Sequence, residues 1–287
     1  MSSQRLPIGR RTGQTIQFSI TYVLLIAGAF IIAVPFFWMI STSLKQQMDV
    51  YIFPPQWIPS PLVWKNYQTV VTIWPFFLYA GNSAFIAISC IIGMLVSSSL
   101  AAYGFARLRA PGRDLLFLIM LATLMLPSQV TLIPIYVLFS KLSWIDSFKP
   151  LIVPAFFGGP FNIFLLRQFF LSLPFELEDA ARVDGCSSLQ TYYRIMLPLA
   201  MPALAVVAIF EFVFEWNDFF QPLIYINSPN KQTLALALQL FQGSDATEPQ
   251  LNLLMAASFL CILPILILFT IAQKYFIQGI VFTGVKG

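Results

Sequence analysis

The sequence contains no histidine and only three cysteines among its 287 residues. Without histidine the chain can form no Ser-His-Asp triad, no Cys-His pair and no histidine metal site. It also has no glycine-rich stretch ending in Gly-Lys-Ser or Gly-Lys-Thr, the pattern that cradles nucleotide phosphates. These absences exclude several enzyme classes and predict that the chain does not bind and hydrolyse nucleotide itself, so any such energy must come from a partner. We expect no catalytic residue, no metal and no cofactor in this chain.

Charge is scarce as well, because only 10% of the residues are charged and 58% are hydrophobic. The mean hydropathy of +0.79 is too high for a soluble domain. Charge-free runs at 12–44, 66–106, 115–140 and 249–273 each exceed the ~20 residues that a helix needs to cross the hydrocarbon core. Two shorter apolar runs are extended by neighbouring apolar residues.

These runs predict an all-α integral membrane protein with six transmembrane helices. Residues 1–14 are expected to form an N-terminal segment in the cytoplasm, and residues 15–287 a single membrane domain. The six predicted spans are about 15–42, 76–105, 114–140, 149–171, 197–226 and 250–276.

The basic residues predict the orientation of these spans. If the N-terminus lies inside, all nine arginines and two of the seven lysines fall on the cytoplasmic side. Lys and Arg near span ends resist translocation, so the asymmetry predicts that both termini are cytoplasmic. The net charge of +4 then reflects membrane topology. It does not indicate nucleic-acid binding, because no basic cluster with interleaved aromatic residues stands outside the spans.

A polar segment at 172–196 separates the fourth and fifth predicted spans. Pro174 suits the first turn of a helix, where its missing N–H costs nothing, and residues 174–184 then form about three turns. On this helix Glu178 and Arg182 are spaced to pair at i, i+4. One face of the predicted helix carries Leu177, Ala180, Ala181 and Asp184.

The end of this helix is also marked in the sequence. Gly185 predicts a left-handed C-terminal stop. Ser187 or Ser188 can cap a second short helix that reaches Ile195 before Pro198 ends it. The polar segment is therefore predicted to be a rigid pair of short helices between two spans.

The same segment carries a motif. Asp179-Ala180-Ala181 is followed after three residues by Gly185, and after nine more by Ile195 and then Leu197-Pro198. This pattern resembles the Glu-Ala-Ala signature of the inner-membrane permease subunits of binding-protein-dependent ABC importers, with every spacing kept. The one departure is Asp179 in place of Glu, which keeps the charge and shortens its reach by one methylene.

The resemblance extends along nearly the whole chain. Asn82-Ser83, the stretch from Trp216 to Pro222, and the tail at 273–287 are similar to the carbohydrate branch of that family, the maltose-type second permease. The resemblance implies a type I ABC importer permease fold in a bacterial-type cytoplasmic membrane. It also implies a sugar, oligosaccharide or polyol as the transported solute.

The resemblance further implies the partners. They are a homologous second permease, two cytoplasmic ATPase subunits that bind the ATP and Mg, and an extracytoplasmic solute-binding protein, all within membrane lipid. The polar segment becomes the coupling helix, seated in a groove of the ATPase. The residues expected to carry this coupling are Glu178, Asp179, Ala180, Ala181, Asp184, Gly185, Ile195, Leu197 and Pro198.

An acidic stripe stands out in the fifth predicted span. Glu211, Glu215 and Asp218 recur at i, i+4 and i+7, and Asn217 lies beside them. Carboxylates in a membrane helix are costly unless they face protein, cavity water or a ligand. One interpretation is that these four residues line the translocation path and accept hydrogen bonds from solute hydroxyls, in which case the stripe disfavours an anionic solute. The other is that they brace helix packing against Gln129, Asn162 or a partner subunit.

Two alternatives remain open at the level of function. Permeases of the same family also serve glycerol phosphates, so the sequence does not name the solute. The acidic stripe also allows an ion-coupled secondary transporter, an interpretation that leaves the polar segment unexplained. A membrane enzyme with carboxylate chemistry is weakened by the lack of histidine.

Overall fold

The computed structural model describes residues 8–242 and 250–284, and every regular element in those ranges is helical. The prediction of an all-α protein is confirmed for this part of the chain. The start of the predicted N-terminal segment, residues 1–7, and the end of the tail, residues 285–287, lie outside the described residues, as do residues 243–249.

In chain order the α-helices are α1 (Ile8–Ser43), α2 (Lys65–Ile73), α3 (Phe76–Arg107), α4 (Arg113–Ala122), α5 (Ser128–Lys141), α6 (Lys149–Ile152), α7 (Pro160–Ser172), α8 (Glu176–Val183), α9 (Ser188–Thr191), α10 (Leu197–Leu199), α11 (Met201–Asn217), α12 (Phe220–Tyr225), α13 (Leu234–Gln242) and α14 (Leu251–Gly284). Short 3₁₀ turns lie at Met48–Tyr51, Thr123–Met125, Val153–Phe157 and Pro229–Lys231, and a π turn lies at Tyr192–Met196.

Four helical segments are long and apolar enough to cross a membrane. They are Gln17–Ser43, Phe76–Arg107, Lys149–Ser172 and Leu251–Gln273. Two further pairs of helices pass the same test together but are bent. They are Arg113–Met125 with Gln129–Lys141, bent by 100°, and Ser188–Leu199 with Met201–Asn217, bent by 75°. The described chain thus has four to six candidate spans.

Prolines and glycines account for the interruptions. Leu126 and Pro127 both have extended backbone. A proline disfavours helical backbone in the residue before it and donates no backbone hydrogen bond. The third predicted span therefore bends here, by 100°. Gly158 takes a φ of +80°, a backbone conformation that glycine adopts at little cost, and Pro160 begins α7. The fourth predicted span is therefore interrupted at Gly158 and Gly159.

The described chain divides into two compact units, residues 8–73 with 250–259 and residues 74–242 with 260–284. In the first unit, Asn66 ties the start of α2 to the end of α1. Its Nδ2 donates to the carbonyls of Ser43 and Lys45, both at 2.8 Å. Asn252 of α14 donates to the Lys45 carbonyl at 3.3 Å. These amides satisfy backbone acceptors that the end of α1 leaves free.

In the second unit α3 is the central helix and packs against α7 and α11. Small residues make this close approach possible: Ser98, Ser99 and Ala102 are almost fully buried. The core between these helices is apolar and includes Leu166, Phe170, Met196, Ala200 and Val207, all fully buried. The second predicted span is thus a packed interior helix of its unit.

Candidate coupling segment and cavity

The helix predicted in the polar segment is α8, and it begins at Glu176 with Phe175 as its N-cap. It starts two residues later than Pro174 suggests. Acidic side chains occupy its first turn and Arg182 its last. This distribution favours the helix because negative charge stabilises the N-terminal end of the helix dipole and positive charge the C-terminal end.

The end of α8 follows the predicted glycine stop. Gly185 has a φ of +77°, and its N–H donates to the Arg182 carbonyl at 3.0 Å. The N–H of Cys186 donates to the Ala181 carbonyl at 2.9 Å. These two bonds close the helix end with a left-handed residue, as predicted.

The second short helix of the segment is capped by Ser187. Its hydroxyl accepts from the Gln190 backbone N–H, and its own N–H donates to the Gln190 side chain, which together form a capping box. The helix then widens into the π turn at Tyr192–Met196. Pro198 does not end it, contrary to the prediction. A proline is tolerated in the first turn of a helical stretch, and the chain bends only at Ala200.

The structure divides the predicted coupling residues between two environments. Glu178 and Ala181 are buried on one side of α8. Ile195 and Leu197 are half-buried and pack against the apolar core. The exposed members are Asp179, Ala180, Asp184, Gly185 and Pro198. Leu177, Ala180 and Ala181 lie on α8 at the predicted i, i+3, i+4 spacing, and Asp184 is its C-cap. The structure adds that only Ala181 of these four is buried, because α8 packs through its Glu178 and Ala181 side.

Glu178 is paired with Arg107, the last residue of α3. Arg107 Nε lies 3.6 Å from Glu178 Oε1, and the two side chains are 0% and 6% exposed. The predicted pair between Glu178 and Arg182 is wrong. Arg182 lies instead 3.7 Å from Asp179, both exposed. The reason is orientation, since burial of the Glu178 side of α8 carries its carboxylate away from Arg182.

Arg107 also binds the end of α7. Its Nη2 donates to the carbonyls of Phe170 at 2.5 Å and Leu173 at 2.6 Å, and its guanidinium lies 4.1 Å from the centre of the Phe175 ring. Sequence reasoning used Arg107 only to orient the spans and missed it as a site residue. The available signal was weak: an arginine that directly follows a long charge-free run.

The acidic stripe is shorter than predicted. Glu211 and Glu215 lie on α11, which ends at Asn217. Asp218 has left the helix, and its Oδ1 accepts from the backbone N–H groups of Phe220 at 3.0 Å and Gln221 at 3.3 Å. Aspartate favours such local bonds to backbone, which compete with continuation of a helix. The prediction that all three carboxylates share one helix face is therefore wrong for Asp218.

Glu211 and Glu215 line a cavity of about 430 Å³. Asn162 and Gln221 supply further polar groups to its wall, and the Nδ2 of Asn162 lies 3.5 Å from Glu211 Oε2. The remaining lining is mostly apolar and comprises Met94, Leu151, Pro154, Ala155, Phe161, Phe210 and Phe214. A few polar groups in an apolar wall are typical of small-molecule sites.

Asn217 and Asp218 are not part of the cavity lining. The side-chain amide of Asn217 donates to the Val213 carbonyl one turn back at 2.7 Å, and the residue is exposed. The four predicted path residues thus separate into two that line the cavity and two engaged with backbone. Within the described residues, no group of three or more His, Cys, Asp or Glu side chains is placed to hold a metal ion.

A polar contact between two connecting segments lies outside the candidate spans. The Asp146 carboxylate accepts from the hydroxyl and N–H of Ser228 and from the N–H of Asn227, and Lys231 Nζ lies 3.2 Å from it. These hydrogen bonds, chiefly those from Ser228, hold the pKa of Asp146 well below its usual range. Asp146 therefore joins the connection after α5 to the connection after α12.

Comparison with known proteins places these features in a family. Residues 93–281 match the family described as the binding-protein-dependent transport system inner membrane component. The chain belongs to this family. The permease is also 35% identical to a putative ABC transporter permease of Caldicellulosiruptor sp. (strain Rt8B.4) over 93% of its own length and 96% of the relative.

Two relatives of the permease carry names that state a solute. It is 36% identical, over 86% of both chains, to the arabinooligosaccharides transport system permease protein of Halalkalibacterium halodurans. It is 30% identical, over 91% of its length and 94% of the relative, to an sn-glycerol-3-phosphate transport system permease protein of Yersinia enterocolitica. Among solved structures, a chain of a bacterial ABC transporter that imports alginate superposes with a TM-score of 0.83 at 23% identity, covering 96% of the permease and 100% of that chain. The permease therefore has the fold of that chain.

Proposed function

We propose that the permease is the membrane subunit of an ATP-driven importer in a bacterial-type cytoplasmic membrane, and that it carries a neutral oligosaccharide, sugar or polyol. The observation that carries this proposal is α8, a short helix closed by a left-handed glycine whose exposed side holds Asp179, Ala180 and Asp184. Small and acidic residues on an exposed helix allow a partner surface to approach closely.

The proposed topology has six spans and both termini in the cytoplasm. It counts each bent pair of helices as one span, which gives six candidates in the described chain. Residues 15–287 then form one permease domain with α8 and α9 on the cytoplasmic side. A cysteine at Val183 should react with a membrane-impermeant maleimide only in inside-out vesicles, and one at Asn230 only in right-side-out vesicles, with the native cysteines replaced. The opposite pattern would reverse the orientation.

The nine predicted coupling residues are proposed to act through α8 and the helices that follow it. Asp179, Ala180, Asp184 and Gly185 would meet the ATPase, and Glu178 and Ala181 would hold α8 to the permease. Ile195, Leu197 and Pro198 would pass its movement to α11. ATP and Mg would be bound by two ATPase subunits, and a homologous second permease and an extracytoplasmic solute-binding protein would complete the importer. The alginate transporter has been solved with a pentasaccharide-bound periplasmic protein, which supports that last partner.

The proposed path residues are Glu211 and Glu215, which line the cavity. Carboxyl groups hydrogen-bond to hydroxyl groups in either protonation state, and any negative charge on them repels anions, so the cavity favours a neutral solute over a glycerol phosphate or an acidic polysaccharide. The name of the arabinooligosaccharide relative supports the same class. Asn217 and Asp218 are proposed to shape the end of α11 and to contact solute only indirectly.

The test is a reconstituted importer. The permease is purified with its second permease and its ATPase, and ATP hydrolysis is measured in proteoliposomes with the solute-binding protein. Arabinotriose, maltotriose, sorbitol, sn-glycerol 3-phosphate and an alginate pentasaccharide are compared. We expect stimulation by a neutral compound and none by the two anions. Uptake that needs no ATPase and is abolished by an ionophore would instead support the ion-coupled alternative.

A further inference from the structure

We propose that Arg107 is a positioning residue that locks α8 to the end of α3, so that these two elements move as one body when the ATPase acts on α8. The inference rests on the proposed function, because it assigns the route by which movement of α8 enters the spans. It adds a residue outside the family's Glu-Ala-Ala segment.

The first support is the burial of both charges. The side chain of Arg107 is 0% exposed and that of Glu178 is 6% exposed. Withdrawing one of two buried opposite charges from the other leaves each without its counter-charge, which is strongly unfavourable. The pair therefore resists any movement of α8 away from α3.

The second support is the anchoring of the guanidinium itself. Arg107 Nη2 donates to the carbonyls of Phe170 and Leu173, at the end of α7. These belong to the carbonyls that a helix end leaves without a partner. A planar guanidinium can bind such acceptors with one nitrogen and face a carboxylate with another, which a lysine cannot do. Arg107 thus joins α3, α7 and α8 at one point.

The third support is unused bonding capacity at the pair. Within the described residues, Nε and Nη1 of Arg107 and Oε1 of Glu178 have no hydrogen-bond partner. Their separation of 3.6 Å is longer than a hydrogen bond. A small approach of α8 towards α3 would convert this ion pair into a charged hydrogen bond. The contact is therefore longer than optimal in the described geometry and would strengthen if α8 were pressed inward.

The connectivity shows why this contact matters. α8 is joined by the chain to α7 and, through Gly185 and the π turn, towards α11. In the chain it is separated from α3, the central helix of its unit, by the four helices α4 to α7. Without the Arg107 contact, movement of α8 would reach α3 only indirectly, through contacts of α7 and of the π turn such as the hydrogen bond between Tyr192 and Ser99.

The experiment measures whether the two elements stay together. Spin labels are placed at Leu108, next to α3, and at Val183, which is 88% exposed on α8. The three native cysteines are replaced. The complex of both permeases with the ATPase is compared without nucleotide and after trapping with ATP and vanadate, so no solute is needed. In the unmutated complex we expect the distance to change by less than about 2 Å, and in Arg107→Ala to shift or broaden by about 5 Å.

Matched variants separate positioning from general damage. Arg109→Ala removes an exposed arginine two residues away, and Glu176→Gln an exposed carboxylate on α8; both should behave like the unmutated complex. Glu178→Gln keeps the shape of the pair and the hydrogen bonds from Arg107 to the two carbonyls. It should nevertheless shift or broaden the distance between the two spin labels. It provides the decisive comparison if Arg107→Ala does not assemble.

Two results would overturn the lock. One is a shift of about 5 Å between the labels in the unmutated complex. The other is an unchanged distance in Glu178→Gln and in any assembled Arg107→Ala complex. A chain that binds no ATPase would overturn the proposed function as well. That outcome is distinct, because failure of the lock alone appears in a complex that still hydrolyses ATP.

Discussion

The side-chain amide of Asn162 on α7 faces the carboxylate of Glu211 on α11, with Nδ2 3.5 Å from Oε2. The contact joins two walls of the cavity and gives a buried carboxylate a polar neighbour. The acidic stripe can be interpreted either as lining the translocation path or as bracing helix packing. Glu211 fits both interpretations, because it contacts a residue of another helix and also lines the cavity. Glu215, one turn along α11, lines the cavity without such a contact to Asn162.

Glu215→Gln should therefore affect solute handling more than folding. It replaces a cavity carboxyl group with an amide, so uptake of a neutral oligosaccharide should fall about tenfold, the effect of losing one hydrogen bond to the solute. Exclusion of sn-glycerol 3-phosphate should weaken at the same time. Uptake kinetics across the solute panel provide the measurement. Asn217→Ala, outside the cavity, is the control, and unchanged kinetics for every solute would remove Glu215 from the path.

Gly185→Val should uncouple or disassemble the importer. The φ of +77° at Gly185 is strained for any side chain and most for a β-branched one. A Cβ there would meet nothing within 4 Å, so the effect comes from the backbone and not from a clash. Gly185→Asn is the matched control, because asparagine tolerates this conformation. ATPase co-purification and solute uptake are measured together, and wild-type values for the valine variant would contradict the coupling role of the α8 end.

Asp146→Asn should loosen the connection after α12. The pKa of Asp146 is lowered in the folded protein, chiefly by the hydroxyl and N–H of Ser228. A lowered pKa contributes stability that is complete above the unfolded value of about 4 and is lost as pH falls through the folded value. Hydrogen exchange at Asn227 and Ser228 should therefore be insensitive to pH near neutrality, after correction for intrinsic rates, and should accelerate only in acid.

In Asp146→Asn the faster exchange should already be present at neutral pH. Asp114→Asn is the control, because the Asp114 side chain is exposed and its partner is the adjacent Arg113. Equal protection of Ser228 in the unmutated protein and Asp146→Asn would show that the carboxylate does not hold this connection.

Gly93→Ala should destabilise the permease. An added Cβ would lie 2.6 Å from the Phe156 ring and 2.9 Å from its Cγ, so the base of the ring must move. Such overpacking costs about 1–3 kcal/mol. Gly104→Ala, on the same helix and with nothing within 4 Å of the new Cβ, should be neutral or stabilising. The two variants are compared by thermal unfolding in detergent. Equal unfolding midpoints would mean that the Phe156 ring moves aside at no cost in stability.

The features that depend on near neighbours in the chain could be predicted. The left-handed Gly185, the Ser187 cap and the interruption at Gly158 each follow from backbone and side-chain chemistry within a few residues. The end of α11 is a partial exception. Asp218 could continue a helix or cap the next one, and its bonds to Phe220 and Gln221 favour the second.

The partner of Glu178 could not be predicted in the same way. Arg182 stands at the correct spacing on the same helix, so the local rule favours it. The choice of Arg107 depends on which side of α8 is buried and on where α3 ends. Neither is encoded in the spacing of the charges.

By itself the sequence determined the membrane class, the helical character, the helix breaks and ends at proline and glycine, and the family motif from Asp179 to Pro198. These follow from apolar run length and local backbone preference, which act within one segment. Only the tertiary structure decided that Glu178 turns towards Arg107, that Glu211 and Glu215 line a cavity, and that Asp218 does not. Such choices depend on packing between helices that are distant in the chain, and a periodic pattern does not record which neighbour its buried face will meet.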